Sequence, residues 1–360
     1  MACCKLFHTR FAIVCASFGI AVSLQAQPKL YAPGGLALRD DAAAFLAPPS
    51  QKGVATNFWR VEDGMDLFYF SSGKGDEVIL FVHGGPGIPP AKPHAGLELL
   101  NDDFQTYYYH QRGGGKSTRP FDKFESNNFV ANLPKLIEAL GVQQHVADIE
   151  RIRRILKRDK LLLVGHSFGA FIAALYAVEF PSRVEKLVLI SPAEMLKMPI
   201  PGGGLYEAVK QQLPEGKLKQ AYGNYLMRFF GGFMSVFTKN EQELATLNNE
   251  FGKYYAAALE ASGLPATSAE ITAGHASGWG PYGVFFSLGM QYDHTKALNK
   301  ITCPVLILTG EKDFTNTQGG LKMYSDNLAS CKVQVIKDAG HFSFIEQPEV
   351  FAKRLHEFLK

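Results

Sequence analysis

The chain has 360 residues, 46% hydrophobic and 20% charged, so it is long enough to bury a large core without a metal or a disulfide scaffold. Its formal charge is only +3, and no basic run exceeds the Arg151, Arg153, Arg154 cluster, which argues against nucleic acid as a partner. Neither an internal repeat nor a low-complexity tract is evident.

Lys5 and Arg10 precede the apolar run Phe11 to Leu24, which ends at Gln25-Ala26-Gln27-Pro28. The run is short for a bilayer span, and a small residue stands before Gln27. The pattern predicts a secretory signal over residues 1–26 and an exported protein, periplasmic or secreted. A membrane-anchoring helix is the alternative; a lipoprotein signal fits less well, because bulky Val14 precedes Cys15. Cleavage would leave 35 basic against 34 acidic residues and no stable membrane insertion.

Beyond the leader, period-two alternation from Phe58 to Val61 and again from Leu67 to Phe70 predicts a hairpin. Continuous apolar runs follow at Val78–Val82, Thr106–Tyr109, Leu161–Val164, Val184–Ile190, Val305–Leu308 and Val333–Ile336. Such runs suit strands buried on both faces. Helical spacing separates them at Ile149, Ile152, Ile155 and Leu156, at Ala170–Val178 and at Phe351–Leu359. Strands alternating with helices imply a mostly parallel sheet. The rhythm breaks from Pro192 to about Thr295, a stretch rich in glycine and aromatics with helical segments such as Glu241–Leu259, which predicts a mostly helical insertion over one end of the sheet. The expected organisation is a core of residues 27–192 and 296–360 with a cap of residues 193–295.

Cys303 and Cys331 each precede one of two strands expected to be neighbours. A bridge between them would stabilise by about 3 to 4 kcal/mol in an oxidising compartment; two free thiols are the alternative.

Gly165-His166-Ser167-Phe168-Gly169 stands between an expected strand and an expected helix, the context in which a sharp turn lifts a nucleophilic serine above a sheet. A serine hydroxyl needs a base, and the base an orienting acid. His341 and Asp313 follow the last two strands at their carboxyl ends, where open α/β sheets bind ligands, in the chain order Ser, Asp, His. Asp338 is the rival acid, awkwardly close to His341 along the chain. The oxyanion donors are expected to be the N–H of Phe168 and that of Gly84 or Gly85, in His83-Gly84-Gly85-Pro86-Gly87 after the Val78–Val82 strand. Gly113-Gly114-Gly115-Lys116-Ser117 is not a phosphate loop, since the glycine required five positions before Gly115 is His110.

Together these residues resemble the α/β-hydrolase superfamily, and His83-Gly84-Gly85-Pro86-Gly87 resembles its proline iminopeptidase-like branch. Gln111-Arg112-Gly113-Gly114-Gly115-Lys116-Ser117 and the stretch Val146–Arg153 are similar to segments of that branch. The resemblance implies an eight-stranded hydrolase sheet with a helical cap, a triad of Ser167, Asp313 and His341, no cofactor, and release of an N-terminal residue, often proline, from a short peptide. An ester, lactone or amide of a small acyl group is the alternative substrate. Three departures stand out. His110 replaces the usual Asp, His166 and Phe168 depart from the G-G-S-W-G form, and residues 121–142 look inserted. The branch binds the substrate amine with cap glutamates. Glu194, Glu207 and Glu250 are candidates by type, and His166 and His110 are further candidates for substrate contact.

Overall fold

Val, Ile, Leu and Phe dominate the strand segments, and their period-two geometry sends neighbours to opposite faces. In β3 (Glu77–Val82), Ile79 and Phe81 enter one core and Leu80 and Val82 the other. The computed structural model describes residues 29–264, 276–316 and 318–360. The leader expected over residues 1–26 lies outside them.

The eight-stranded sheet has the order β1-β2-β4-β3-β5-β6-β9-β10. β1 (Phe58–Glu62) and β2 (Met65–Ser72) form the antiparallel hairpin. β2 pairs antiparallel with β4 (Phe104–Tyr109), and the remaining neighbours are parallel: β3, β5 (Leu161–His166), β6 (Val184–Ile190), β9 (Val305–Gly310) and β10 (Cys331–Ile336).

Helices cover both faces. α1 (Phe129–Leu140) and α2 (Val142–Ile155) follow β4, and α3 (Phe168–Glu179) follows β5. Every residue of α3 is buried, which is why its sequence is apolar all round and lacks an amphipathic stripe. α1 falls in the segment that reads as an insertion, and Asn128 caps it by accepting from the N–H of Ala131.

Between β6 and β9 lie α4 (Gly204–Gln212), α5 (Lys217–Gly231), α6 (Glu241–Ala261) and α7 (Gly280–Leu288). Asn240 and Glu243 form a reciprocal capping box at the start of α6. These helices share their own core of Tyr222, Tyr225, Phe229, Phe233, Tyr254, Trp279 and Tyr282 with Leu136 and Leu140 of α1. A two-residue ladder, β7 (Lys197–Met198) with β8 (Tyr292–Asp293), ties the chain where it leaves the sheet to where it returns. α8 (Gln318–Ser325) and α9 (Pro348–Leu359) complete the layers. Among the described residues no helix is long and apolar enough to cross a membrane.

The segment before β1 is stapled to the core. Buried Glu179, at the end of α3, accepts from the Tyr31 hydroxyl at 2.9 Å and from the N–H groups of Gly34 and Leu36 at 2.7 and 2.9 Å. The Arg151 guanidinium donates to the carbonyl of Phe45 and lies over its ring.

Cys303 and Cys331 are both free. The bridge considered from the sequence fails on register: parallel pairing sets Cys331 opposite Val305, two residues beyond Cys303. At about 3.3 Å per residue that stagger, added to the interstrand spacing, carries the two Cα atoms past the reach of a disulfide. Burial pushes the Cys303 thiol up to about 11.

Candidate active site

The carboxyl ends of β3, β5, β9 and β10 deliver the site. Ser167 follows β5 directly with φ +54° and ψ −119°, a sparsely populated conformation costing about 1 to 3 kcal/mol that the surroundings must impose. They do so by close approach: a Cβ on Gly169 would lie 2.0 Å from the carbonyl oxygen of Val82, and the Ser167 N–H is held by the carbonyl of Ile190 at 2.9 Å. Phe168 opens α3, so its N–H is one of the first-turn donors that intrahelical bonding leaves unpaired.

The His83-Gly84-Gly85-Pro86-Gly87 loop lies against this turn, since a Cβ on Gly84 would come within 3.1 Å of the Cβ of Ser167. His83 fixes the loop. Its Nε2 accepts from the N–H of Gln111 at 3.1 Å, so the ring proton sits on Nδ1 and is donated to the carbonyl of Gly84 at 2.7 Å. Because the peptide unit is planar, this turns the Gly85 N–H away from the ring. Burial pushes the His83 pKa down to about 3, which keeps the ring neutral. Gln111 also donates from its side chain to the carbonyl of His83 at 2.7 Å.

Asp313 and His341 meet across the β9 and β10 loops. Nδ1 of His341 lies 2.9 Å from Oδ2 of Asp313, and both residues are buried. The other carboxylate oxygen accepts from the N–H and the hydroxyl of Thr315 at 3.0 and 2.7 Å. Burial alone would raise the Asp313 pKa; the His341 ring and the hydrogen bonds overcome it and hold the carboxyl at about 2. The dyad therefore presents an ionised acid beneath His341, leaving Nε2 of the imidazole clear of Asp313. Asp338 takes no part: it is exposed, and its carboxylate lies 3.0 Å from Nζ of Lys312.

Three candidates for substrate contact have neighbours of their own within the protein. Nδ1 of His110 accepts from the N–H of Lys116 at 2.9 Å and Nε2 donates to the carbonyl of Pro90 at 3.2 Å, so the ring builds the turn after β4. Glu194 is buried behind the β6 loop, where a Cβ on Gly320 of α8 would lie 2.1 Å from its Oε1. His166 is buried with Nε2 2.9 Å from the carbonyl oxygen of His341. Among the cap glutamates, Glu207 pairs with Lys210 at 3.7 Å and Glu250 with Arg228 and Lys253 at 2.7 and 3.1 Å.

Sequence reasoning missed Thr315 and Glu346. Thr315 carried a signal, since an Asp side chain commonly bonds the backbone two residues on. Glu346, whose Oε2 accepts from the N–H of Gly340 at 2.6 Å and so steadies the His341 loop, carried none. The buried network under the Gln111–Ser117 loop was equally hidden: Asp148 holds Arg112 in a two-point ion pair at 2.6 and 2.7 Å, with Arg151 at 3.0 Å.

A family model described as the alpha/beta hydrolase fold matches residues 77–348. The chain is 28% identical to a proline iminopeptidase of Heyndrickxia coagulans over 298 residues, 81% of this chain and 93% of the relative. It is 29% identical to a bifunctional esterase/perhydrolase of Acinetobacter calcoaceticus over 259 residues, 70% of this chain and 80% of the relative. A hydrolase structure from Pseudomonas aeruginosa superposes with a TM-score of 0.58 at 17% identity, covering 86% of this chain and 99% of that one. With a sheet order, a strained serine turn and a family match that coincide over most of its length, the chain belongs to the α/β-hydrolase family.

Proposed function

We propose that the protein is a serine hydrolase of the proline iminopeptidase type, working through an acyl-enzyme on Ser167. Nε2 of His341 takes the hydroxyl proton as Ser167 Oγ attacks the acyl carbon, and Asp313 holds the imidazole and stabilises its charged form. The N–H groups of Phe168 and of Gly85 or Gly84 receive the developing oxyanion. His341 then protonates the leaving amine, and water repeats the sequence to release the acid and restore Ser167. The observation that carries the reading is the 2.9 Å contact between His341 Nδ1 and Asp313 Oδ2 at the sheet end that bears the strained Ser167. The aminopeptidase assignment is supported by the iminopeptidase relative, which spans most of the chain.

A second reading, an ester or lactone hydrolase, is favoured by the commitment of cap carboxylates. Glu207 and Glu250 bind basic side chains, and Glu241 accepts from the N–H groups of Gly278 and Trp279 at 2.7 and 2.9 Å. Comparing kcat/KM on prolyl and alanyl p-nitroanilides with that on short p-nitrophenyl esters, with Ser167→Ala as the blank, separates the two. Preference for the prolyl anilide, lost on blocking its amine, supports the aminopeptidase; ester turnover alone supports the second reading. No Ser167-dependent turnover of either overturns both.

We also infer that residues 1–26 direct export. N-terminal sequencing of the protein recovered outside the cytoplasm would begin at Gln27; retention of Met1 would overturn it.

A further inference from the structure

We propose that His166 is a positioning residue that sets the distance between the nucleophile and the base, and does not contact substrate. The proposal rests on the serine-hydrolase reading and adds a residue to it. A backbone carbonyl can only accept, so the 2.9 Å contact with the His341 oxygen puts the ring proton on Nε2 of His166. The ring is buried, and burial, aided by the nearby His341, holds its pKa well below the ordinary value, so it carries that one proton and no charge. Its other edge abuts the oxyanion loop: a Cβ on Gly84 would lie 3.2 Å from Nδ1. The ring also packs at 4.7 Å from His341, 5.1 Å from Phe342 and 4.9 Å from Phe344, centroid to centroid.

One side chain, adjacent in sequence to Ser167, therefore touches both other parts of the site. A packing histidine would need only the ring contacts. The Nε2 bond fixes the loop that carries the base against the turn that carries the nucleophile. Loss of about 1 Å of registry in such an arrangement can cost on the order of 100-fold in rate.

The test compares His166→Gln, whose Nε2 keeps the donor at the same number of bonds from Cα, with His166→Asn and His166→Leu, which do not reach. Readouts are the rate and the affinity of Ser167 phosphonylation by a fluorophosphonate probe, measured separately, and kcat and KM on the best substrate. The expected result is a fall of about 10- to 100-fold in phosphonylation rate and kcat for Asn and Leu, with KM and probe affinity within about 3-fold, and recovery to within about 3-fold of wild type for Gln. Gln and Asn reacting alike, or Leu folded and reacting as wild type, would overturn the role of the bond. If Leu fails to fold, the Gln and Asn pair decides. A wild-type protein that the probe does not label at Ser167 would instead defeat the serine-hydrolase reading itself.

Discussion

The loops at the carboxyl ends of the sheet and the helices above them are built on opposite principles. In the loops, single atoms carry the arrangement: Asp313 divides its two oxygens between Thr315 and His341, and His83 uses both ring nitrogens to orient one peptide. In the cap, Phe229, Phe233, Tyr225 and Tyr282 form a mesh of ring contacts at 5.1 to 6.1 Å in which no single contact dominates. A polar arrangement fails when one partner is lost, whereas a mesh of aromatic surface degrades gradually.

The largest effect should follow Asp313→Asn, which removes the charge and mis-sets the imidazole proton while leaving the shape. Turnover should fall about 10⁴-fold while the fold is retained. Retention of activity above one tenth would show that the dyad does not act. Next, Asp148→Ala removes the buried carboxylate that two guanidiniums share, leaving them only half-exposed Glu62 as a charged partner, and should cost about 3 kcal/mol in urea unfolding. Phe229→Leu in the cap should cost only about 1 to 2 kcal/mol and leave kcat on a small ester nearly unchanged; a loss matching that of Asp148→Ala would erase the contrast between the regions.

Acid should act through three histidines, one in the oxyanion loop, one beyond it and one inside α2. His83 and His94 are held near 3 and His145 near 4 by burial, so the folded protein refuses protons that the unfolded chain accepts below about 6.5. Stability is therefore fully present above that pH and falls as pH drops from 6.5 towards 4, a decline that replacing His145 with a neutral isostere should flatten in pH-dependent melts. The smallest effect belongs to Glu250→Gln. Its partner Arg228 is 57% exposed, so stability should change by under about 1 kcal/mol. A selective loss of free-amine anilide turnover in that variant would make Glu250 an ammonium ligand after all.

The same contrast explains what was legible in the sequence. Ser167, Asp313 and His341 each follow a continuous apolar run, so sheet topology alone brought them to one edge. The glycines of the turns were legible because only close backbone approach explains them. Side chains that act through backbone partners were not: the ring of His110 could equally face a ligand or a carbonyl, and Glu194 could equally face an ammonium or α8. Nothing local distinguishes these. In the cap the helix from Glu241 was readable from its spacing, but α1 was not: Pro134 lies inside it, and a proline there argues against helix.

Glu179 bears on where the chain can be shortened. It is only 5% exposed and accepts hydrogen bonds from Tyr31, Gly34 and Leu36, so deletion up to Leu38 would leave a buried carboxyl group without these donors at the end of the helix that Ser167 begins. A buried polar group left without its partner costs about 1 to 3 kcal/mol. Trimming for crystallisation or display should therefore stop at Lys29, and a fusion partner at that end needs a spacer placed before Tyr31.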